Sequence, residues 1–205
     1  MSSNETEKVI RTKVGGWKTL SSECVYENPW ISIHHETVKT PAGTDGIYGL
    51  VHFKSTAVGV FPVDNEGNTW LVKQSRYTLN QFTWEMPAGG TAEGEPPEAC
   101  AARELEEEVG LRADSIVELM RVHTTDSVAD ELAIIYLAKG LSQGSQKLEE
   151  TEDIEVKKMP VQEALNMVYR GEITDGISVA AILRIALDMG TVSYTHLTLP
   201  TIYSV

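Results

Sequence analysis

Alternation of apolar and polar residues is the first regularity in the chain. The run ISIHHETVKT (residues 31–40) alternates and is rich in β-branched residues. Proline and glycine turn residues follow it, and IYGLVHFK (residues 47–54) then resumes an extended pattern. Such runs, bounded by turn residues, predict short paired strands. We therefore predict a β-rich unit over residues 15–54.

A second apolar run, TAVGVFPV (residues 56–63), is followed by the turn DNEGN and then by TWLVKQS (residues 69–75). Two β-type runs around an Asn/Gly turn predict a β-hairpin. FTWEMPAGG (residues 82–90) indicates a further strand that ends in a loop rich in proline and glycine.

The period changes to that of a helix in three places. PEACAARELEEEV (residues 97–109) is rich in helix formers, begins with proline, and precedes Gly110, a residue suited to ending a helix. Apolar spacing predicts two more helices, near Val161–Arg170 and Gly176–Met189. Between the first helix and these two, strands are predicted around IVELMRVHT and ELAIIYLA, joined by the polar loop Thr124–Asp130.

These elements divide the chain into four parts. Residues 1–14 are predicted to be a flexible lead, 15–54 the β unit, and 55–190 the main domain. Residues 191–205 are interpreted as a non-native tail, because VSYTHLTLPTIYSV lacks charge and resembles a translated sequencing adapter. A genuine terminal strand is the alternative for this tail.

Composition narrows the class of protein. With 205 residues, 41% hydrophobic and 23% charged, the chain fits one globular domain with an appendage. Because the first residues, MSSNETEKVIRTK, are polar, we expect no secretory signal. The apolar runs, such as Leu132–Ala138, are too short to predict a membrane-spanning helix. Cys24 and Cys100 lack metal-binding spacing, so we expect reduced thiols in a cytoplasmic protein. The net charge of -13 argues against nucleic-acid binding, although metal ions would allow a small phosphate substrate.

The strongest chemical signal lies in Gly89–Leu111, GGTAEGEPPEACAARELEEEVGL. On a helix, Glu104, Glu107 and Glu108 occupy positions i, i+3 and i+4, so their carboxylates share one face. Like charges at this spacing are destabilising unless they are neutralised, and Arg103 cannot balance all three. A bound divalent cation would do so, whereas a solvated glutamate-rich surface is the simpler alternative.

The whole segment matches, at every fixed position, the box of the Nudix hydrolase superfamily, and the chain resembles that superfamily. QSRYTLNQFTWEMPAGG and HTTDSVADELAIIYLAKGL also resemble its ADP-ribose and nucleoside-diphosphate-sugar pyrophosphatases. The resemblance covers roughly residues 25–190. It implies an α/β fold, namely a Nudix-type α/β/α sandwich with a mixed β-sheet, preceded by a small N-terminal antiparallel β unit.

The resemblance also implies roles for individual residues. The Ala88 carbonyl, Glu104 and Glu108 are expected to be the ligands of a bound Mg²⁺ or Mn²⁺ ion. The expected catalytic residues are Glu107, Glu108, Arg103 and Glu131. Glu131 is expected to be the base that activates water, and Glu108, or Asp130 beside Glu131, is the alternative for that role. Substrate contacts are expected from Arg76, Glu85 and Trp30. A structural ion pair is the alternative for Arg76 and Glu85, and ordinary packing is the alternative for Trp30.

The implied reaction is metal-dependent cleavage of the pyrophosphate bond of a nucleoside diphosphate sugar, such as ADP-ribose. Ser127 stands where ADP-ribose pyrophosphatases usually carry proline, which leaves other nucleotide sugars open. The alternatives are another nucleotide substrate (a dinucleoside polyphosphate, NADH or an oxidised nucleoside triphosphate) or a non-catalytic binding domain. The β unit resembles one that reaches across a homodimer; no nucleic-acid or membrane partner is expected.

Overall fold

The computed structural model describes residues 11–148 and 153–190. The predicted tail, 191–205, therefore lies outside the described residues, as do residues 1–10 of the predicted lead. Arg11–Thr12, which the sequence analysis grouped with the lead, pairs antiparallel with the next strand and joins the N-terminal sheet.

The N-terminal unit is a four-stranded antiparallel sheet in the order β1-β2-β3-β4. One side of β3 is partly covered, and Ser32, Glu36 and Val38 are buried there at even spacing, as the alternating pattern predicts. Buried Glu36 accepts a hydrogen bond from the Thr19 hydroxyl at 3.2 Å. The strands are β1 (Arg11–Thr12), β2 (Lys18–Glu27), β3 (Ile31–Lys39) and β4 (Asp45–Phe53).

The core contains a mixed four-stranded sheet in the order β8-β5-β10-β9. Strand β10 runs parallel to β5 and antiparallel to β9, and β8 pairs antiparallel with β5. Its members are β5 (Ala57–Pro62), β8 (Ala88–Gly90), β9 (Leu111–His123) and β10 (Leu132–Gln143).

A third sheet is antiparallel, in the order β11-β6-β7. It consists of β6 (Asn68–Arg76), β7 (Gln81–Glu85) and β11 (Glu155–Pro160). The predicted hairpin over residues 56–75 is therefore wrong. The turn forms, since the Asp64 N–H donates to the Asn68 carbonyl at 3.0 Å, but the strands on either side of it enter different sheets. Both edges of β5 are already taken by β8 and β10.

Helices cover the sheets on two sides. Helix α1 (Pro97–Glu104) continues as a π-helical turn, Leu105–Val109, and ends at Gly110 with φ +73°. Helices α2 (Val161–Tyr169) and α3 (Gly176–Asp188) confirm the two C-terminal helix predictions to within one residue at their ends. None of the helices in 11–148 and 153–190 is long and apolar enough to cross a membrane.

Two apolar clusters make the layers of a sandwich. Strand β5 serves both: Val58 and Val60 pack with Cys100 and Leu105 on the α1 side, whereas Phe61 packs on the α2–α3 side. Successive side chains of a strand point to opposite faces, so a strand between two helical layers is apolar throughout. The predicted α/β/α sandwich with a mixed sheet and an N-terminal antiparallel unit is confirmed.

Candidate active site

The centre of the site is strand β8, where backbone and carboxylate meet with no side chain between them. A Cβ placed on Gly89 would lie 1.9 Å from Glu104 Oε1, so only glycine leaves room for that carboxylate. At the preceding residue, the Ala88 N–H donates to Glu108 Oε2 at 2.9 Å. Two box glutamates therefore contact neighbouring residues of one short strand.

A solvated glutamate-rich surface, the alternative for this segment, does not describe two of the three carboxylates. Glu104 is 6% exposed and Glu108 is 1% exposed, whereas Glu107 is only partly buried. Helix α1 packs against β5, β8 and β9. Strand β8, which is rich in glycine, lies directly against the carboxylates of Glu104 and Glu108. Burial of charge is costly unless partners compensate it, so the site must supply those partners.

Arg103 supplies much of that compensation. Its Nη1 donates to Glu104 Oε1 at 2.7 Å and to Glu107 Oε2 at 2.9 Å. Its Nε donates to Glu95 Oε1 at 2.9 Å, and its Nη2 to Glu95 Oε2 at 3.1 Å. These hydrogen bonds, those to Glu95 first, raise the pKa of Arg103. Arg103 and Glu107 form an ion pair at positions i and i+4 of the helix, and the contacts of Arg103 with Glu95 join the loop to the helix.

Glu95 closes the loop that leads into α1. Its Oε2 accepts a hydrogen bond from the Ala92 N–H at 2.9 Å while both oxygens engage Arg103. The hydrogen bonds from Arg103 lower the pKa of Glu95 from 4.5 to about 2. Glu95, in the loop before the helix, therefore fixes the position of Arg103, and we call this contact between the two residues the clamp.

The far end of the carboxylate helix is held by the segment that follows β10. The Gln146 side chain donates from Nε2 to the Glu108 carbonyl at 2.7 Å, and the Lys147 N–H donates to the Glu107 carbonyl at 2.9 Å. The last carbonyls of a helix need such partners from outside the helix. Sequence reasoning missed this cap, because these residues lie in a polar connector with no motif.

The donor chemistry of the site suits a hard divalent cation. Within residues 11–148 and 153–190, no three His, Cys, Asp or Glu side chains converge into a ready-made metal site. Glu104 and Glu108 nevertheless hold carboxylates against adjacent residues of β8, and Mg²⁺ and Mn²⁺ prefer such oxygen donors. Both carboxylates are nearly fully buried, so a cation bound between them and β8 would lie among oxygen donors and largely away from water.

Two clefts meet at β8. The first, which we call the carboxylate cleft, has a volume of about 1160 Å³ and is lined by Arg103, Glu104, Glu107 and Asp130. The second, which we call the arginine cleft, has a volume of about 650 Å³ and is lined by Arg76, Thr124, Glu131 and Asp175. Residues Ala88–Gly90 and Trp30 line both clefts. Trp30 is 70% exposed, so ordinary packing, which was the alternative to a substrate contact, does not describe it.

Arg76 and Glu85 form a close ion pair. Arg76 Nε donates to Glu85 Oε1 at 2.9 Å, and its Nη2 contacts Oε2. These hydrogen bonds raise the pKa of Arg76. Glu85 is 3% exposed, whereas Arg76 reaches the arginine cleft. The alternative of a structural ion pair thus describes buried Glu85 well. Arg76 is part of the same pair but also lines the arginine cleft.

Glu131 lies at the end of the loop between β9 and β10, on the wall of the arginine cleft. Its carboxylate accepts a hydrogen bond from the Thr124 hydroxyl at the other end of the same loop. The neighbouring Asp130 points elsewhere, onto His52 and the Phe53 N–H. No role could be assigned from the sequence to Thr124, although it lies in the run HTTDSVADE, or to His52 on β4, because a hydrogen-bond partner distant along the chain cannot be read from local residues.

Comparison with known proteins agrees with this architecture. Residues 54–177 match the family model described as NUDIX domain, and residues 17–51 match the model described as Nucleoside diphosphate sugar hydrolase N-terminal domain. The chain is 35% identical over 173 residues to an ADP-ribose pyrophosphatase of Mycobacterium tuberculosis, across 82% of this chain and 83% of that protein. It is 34% identical over 167 residues to an ADP-ribose pyrophosphatase of Bacillus subtilis, across 80% of this chain and 90% of that protein.

A solved structure described as an ADP compounds hydrolase superposes with a TM-score of 0.74 at 18% identity. It covers 91% of this chain and 100% of that structure, which shows a shared fold. The fold, together with the contact between the Ala88–Gly90 strand and the helix that carries Glu104 and Glu108, is typical of one class of hydrolases.

The chain belongs to the Nudix family. The predicted resemblance to this superfamily and to its ADP-ribose and nucleoside-diphosphate-sugar pyrophosphatases is confirmed, as is the assignment as a Nudix hydrolase. Members of this family generally require a divalent metal.

Proposed function

We propose that this protein hydrolyses the pyrophosphate bond of a nucleoside diphosphate sugar and releases a nucleoside monophosphate and a sugar phosphate. One observation carries the proposal: Ala88–Gly90 lie between a cleft lined by Glu104 and Glu107 and a cleft lined by Arg76 and Glu131. A substrate with two groups joined by a diphosphate can place its phosphates over β8 and one group in each cleft. The match of residues 17–51 to the nucleoside diphosphate sugar hydrolase model supports the same substrate class.

The reaction needs water, a base and charge compensation. Water attacks one phosphorus, the bond from that phosphorus to the bridging oxygen breaks, and the proton of the water passes to a carboxylate. Glu131 is proposed as that base, because its side chain lies on the cleft wall and its orientation is held by Thr124. Arg76 is proposed to bind a phosphate, and Trp30 to stack on the nucleobase at the mouth shared by both clefts.

Mg²⁺, or Mn²⁺, is the proposed cofactor. Glu104, Glu108 and the Ala88 carbonyl would hold it, and when bound it would neutralise phosphate charge and lower the pKa of water. Arg103 is proposed to orient Glu104 and Glu107 through the hydrogen bonds described above.

ADP-ribose is the first substrate to test, because both named bacterial relatives are ADP-ribose pyrophosphatases. Ser127 stands in a turn on the loop before Glu131, and its carbonyl accepts a hydrogen bond from the Tyr48 hydroxyl. A panel that includes other nucleotide sugars measures whether Ser127, in place of the usual proline, changes the preference among sugars.

The proposal is tested with a panel of nucleotide sugars, dinucleoside polyphosphates, NADH and nucleoside triphosphates, each with Mg²⁺ and with Mn²⁺. Phosphate released after phosphatase coupling reports turnover. We expect the highest kcat/KM for a nucleoside diphosphate sugar. Preference for another nucleotide would replace the substrate class, and absence of turnover on the whole panel would favour a binding domain.

The catalytic centre is tested with Glu108→Gln, which removes a charge but keeps an oxygen that can accept from the Ala88 N–H. We expect activity to fall by about two to four orders of magnitude while the fold survives. Glu106→Gln is the matched control, because Glu106 lies on the same turn and pairs with Arg112. Normal turnover of Glu108→Gln with Mg²⁺, or an equal loss in the control, would contradict the assignment.

Two broader properties belong to the same proposal. We propose a homodimer in which the N-terminal unit reaches the second copy, which sedimentation equilibrium would test. Cys24 and Cys100 are both free thiols, in agreement with the proposed cytoplasmic location.

A further inference from the structure

The loop that carries Glu131 is attached to the N-terminal sheet as well as to its own domain. The Val51 N–H donates to the Val128 carbonyl at 2.8 Å, and the Asp130 N–H donates to the Val51 carbonyl at 3.2 Å. These bonds form a parallel bridge between Val51 and Ala129. A stretch of the loop therefore extends the β4 edge of the N-terminal sheet.

Asp130 makes the attachment specific. Its Oδ1 accepts a hydrogen bond from the Phe53 N–H at 2.9 Å, and its Oδ2 lies 2.6 Å from His52 Nδ1. Both oxygens of this carboxylate thus engage successive residues of β4. Although burial raises the pKa of Asp130, the hydrogen bonds from His52 and Phe53 outweigh it and leave that pKa below its ordinary value.

Asp130 and its successor face different clefts. Asp130 lines the carboxylate cleft, whereas Glu131 lines the arginine cleft. An ionised carboxylate bound on both oxygens is poorly suited to accept a proton from water, which separates Asp130 from the base role. Its position immediately before Glu131 means that movement of one residue carries the other.

We infer that Asp130, held by His52 and the β4 backbone, is a positioning residue that places Glu131 for proton abstraction. The N-terminal unit thereby acts in catalysis through a contact within the same chain. This inference rests on the proposed function, because the base role of Glu131 belongs to it. A displacement of about 1 Å in a catalytic group can reduce rate on the order of a hundredfold.

The experiment compares Asp130→Ala with Asp126→Ala, a matched change at an exposed carboxylate of the same loop. With ADP-ribose and Mg²⁺, we expect Asp130→Ala to lower kcat by roughly ten- to a hundredfold with little change in KM, and Asp126→Ala to change neither. Deuterium uptake by residues 124–131 should rise in Asp130→Ala alone. Unchanged uptake by α2 and α3 would show that the variant is folded.

A second background separates positioning from an independent role. In Glu131→Gln, adding Asp130→Ala should lower kcat no further, because the group that Asp130 places has already been removed. Asp130→Asn should recover part of the lost kcat, since its amide oxygen can still accept from the Phe53 N–H.

The outcomes distinguish the two proposals. A wild-type kcat in Asp130→Ala, or an equal loss in the Glu131→Gln background, would overturn the positioning role and leave the proposed function standing. A wild-type kcat in Glu131→Gln would remove the base assignment itself, and the positioning role would fall with it.

Discussion

Gly89 and Glu104 illustrate how single residues set up the site. The carboxylate occupies the volume that any side chain on Gly89 would need, at 1.9 Å from the position of the missing Cβ. Glycine is required here for close approach, a purpose that the spacing of the motif alone does not reveal. The Nudix box predicts that these residues belong to one site, but the burial of Glu104 and Glu108 depends on packing against β8, which comes from elsewhere in the chain.

Gly89→Ala tests this close approach. The added methyl group must displace the Glu104 carboxylate, so we expect kcat/KM to fall about ten- to a hundredfold and the Mg²⁺ concentration for half-maximal activity to rise. Gly49→Ala on β4 is the control, because nothing lies within 4 Å of its added Cβ. Equal activities of the two variants would show that Glu104 moves without consequence.

At the scale of elements, the loop, helix and following segment act together on the carboxylates. Glu95 in the loop holds Arg103, and Gln146 after β10 holds the Glu108 carbonyl. Residue preferences predict the helix and its end at Gly110. The π-helical turn, Leu105–Val109, could not be predicted in the same way, because local preferences do not distinguish it from a continued α-helix.

The clamp between Glu95 and Arg103 predicts a pH dependence of stability. The pKa of Glu95 is lowered from 4.5 to about 2, so this carboxylate stabilises the folded state above pH 4.5. That contribution is lost as the pH falls toward about 2. We expect the difference in free energy of unfolding between wild type and Glu95→Gln to stay constant above pH 4.5 and to shrink below it.

Urea unfolding at a series of pH values measures this difference. Glu93→Gln removes a charge from an exposed residue of the same loop and serves as the control. The same pH dependence in both variants would mean that net charge, rather than the clamp, determines the effect.

At the scale of the whole molecule, the layers were predictable and one pairing was not. The resemblance to the Nudix superfamily implied the layers of the sandwich, and helical spacing predicted α2 and α3. The error at β5 arose because its partners β8 and β10 come later in the chain, and Ala57 pairs with Ala133. A local pattern indicates that a strand exists, but its neighbours depend on contacts distant in sequence.

The core of this sandwich makes a stability prediction. Ile135 on β10 is fully buried in the cluster with α2 and α3. Ile135→Ala should therefore lower the free energy of unfolding by about 2 to 5 kcal/mol. Val117→Ala on β9, where the side chain is 52% exposed, should change it by less than about 0.5 kcal/mol. Denaturant unfolding would measure both, and similar losses would contradict the description of the core.

The attachment of residues 128–130 to β4 has a consequence for solution behaviour. Strand β4 is the outermost long strand of the N-terminal sheet, and a long open edge is a template on which other chains can add strands. The bonds between Val51 and the loop occupy part of that edge, and the Asp130 carboxylate covers the Phe53 N–H next to it. The contact proposed to place Glu131 therefore also covers part of the β4 edge. A change that loosens this contact would be expected to displace Glu131 and to expose that edge to pairing with other chains.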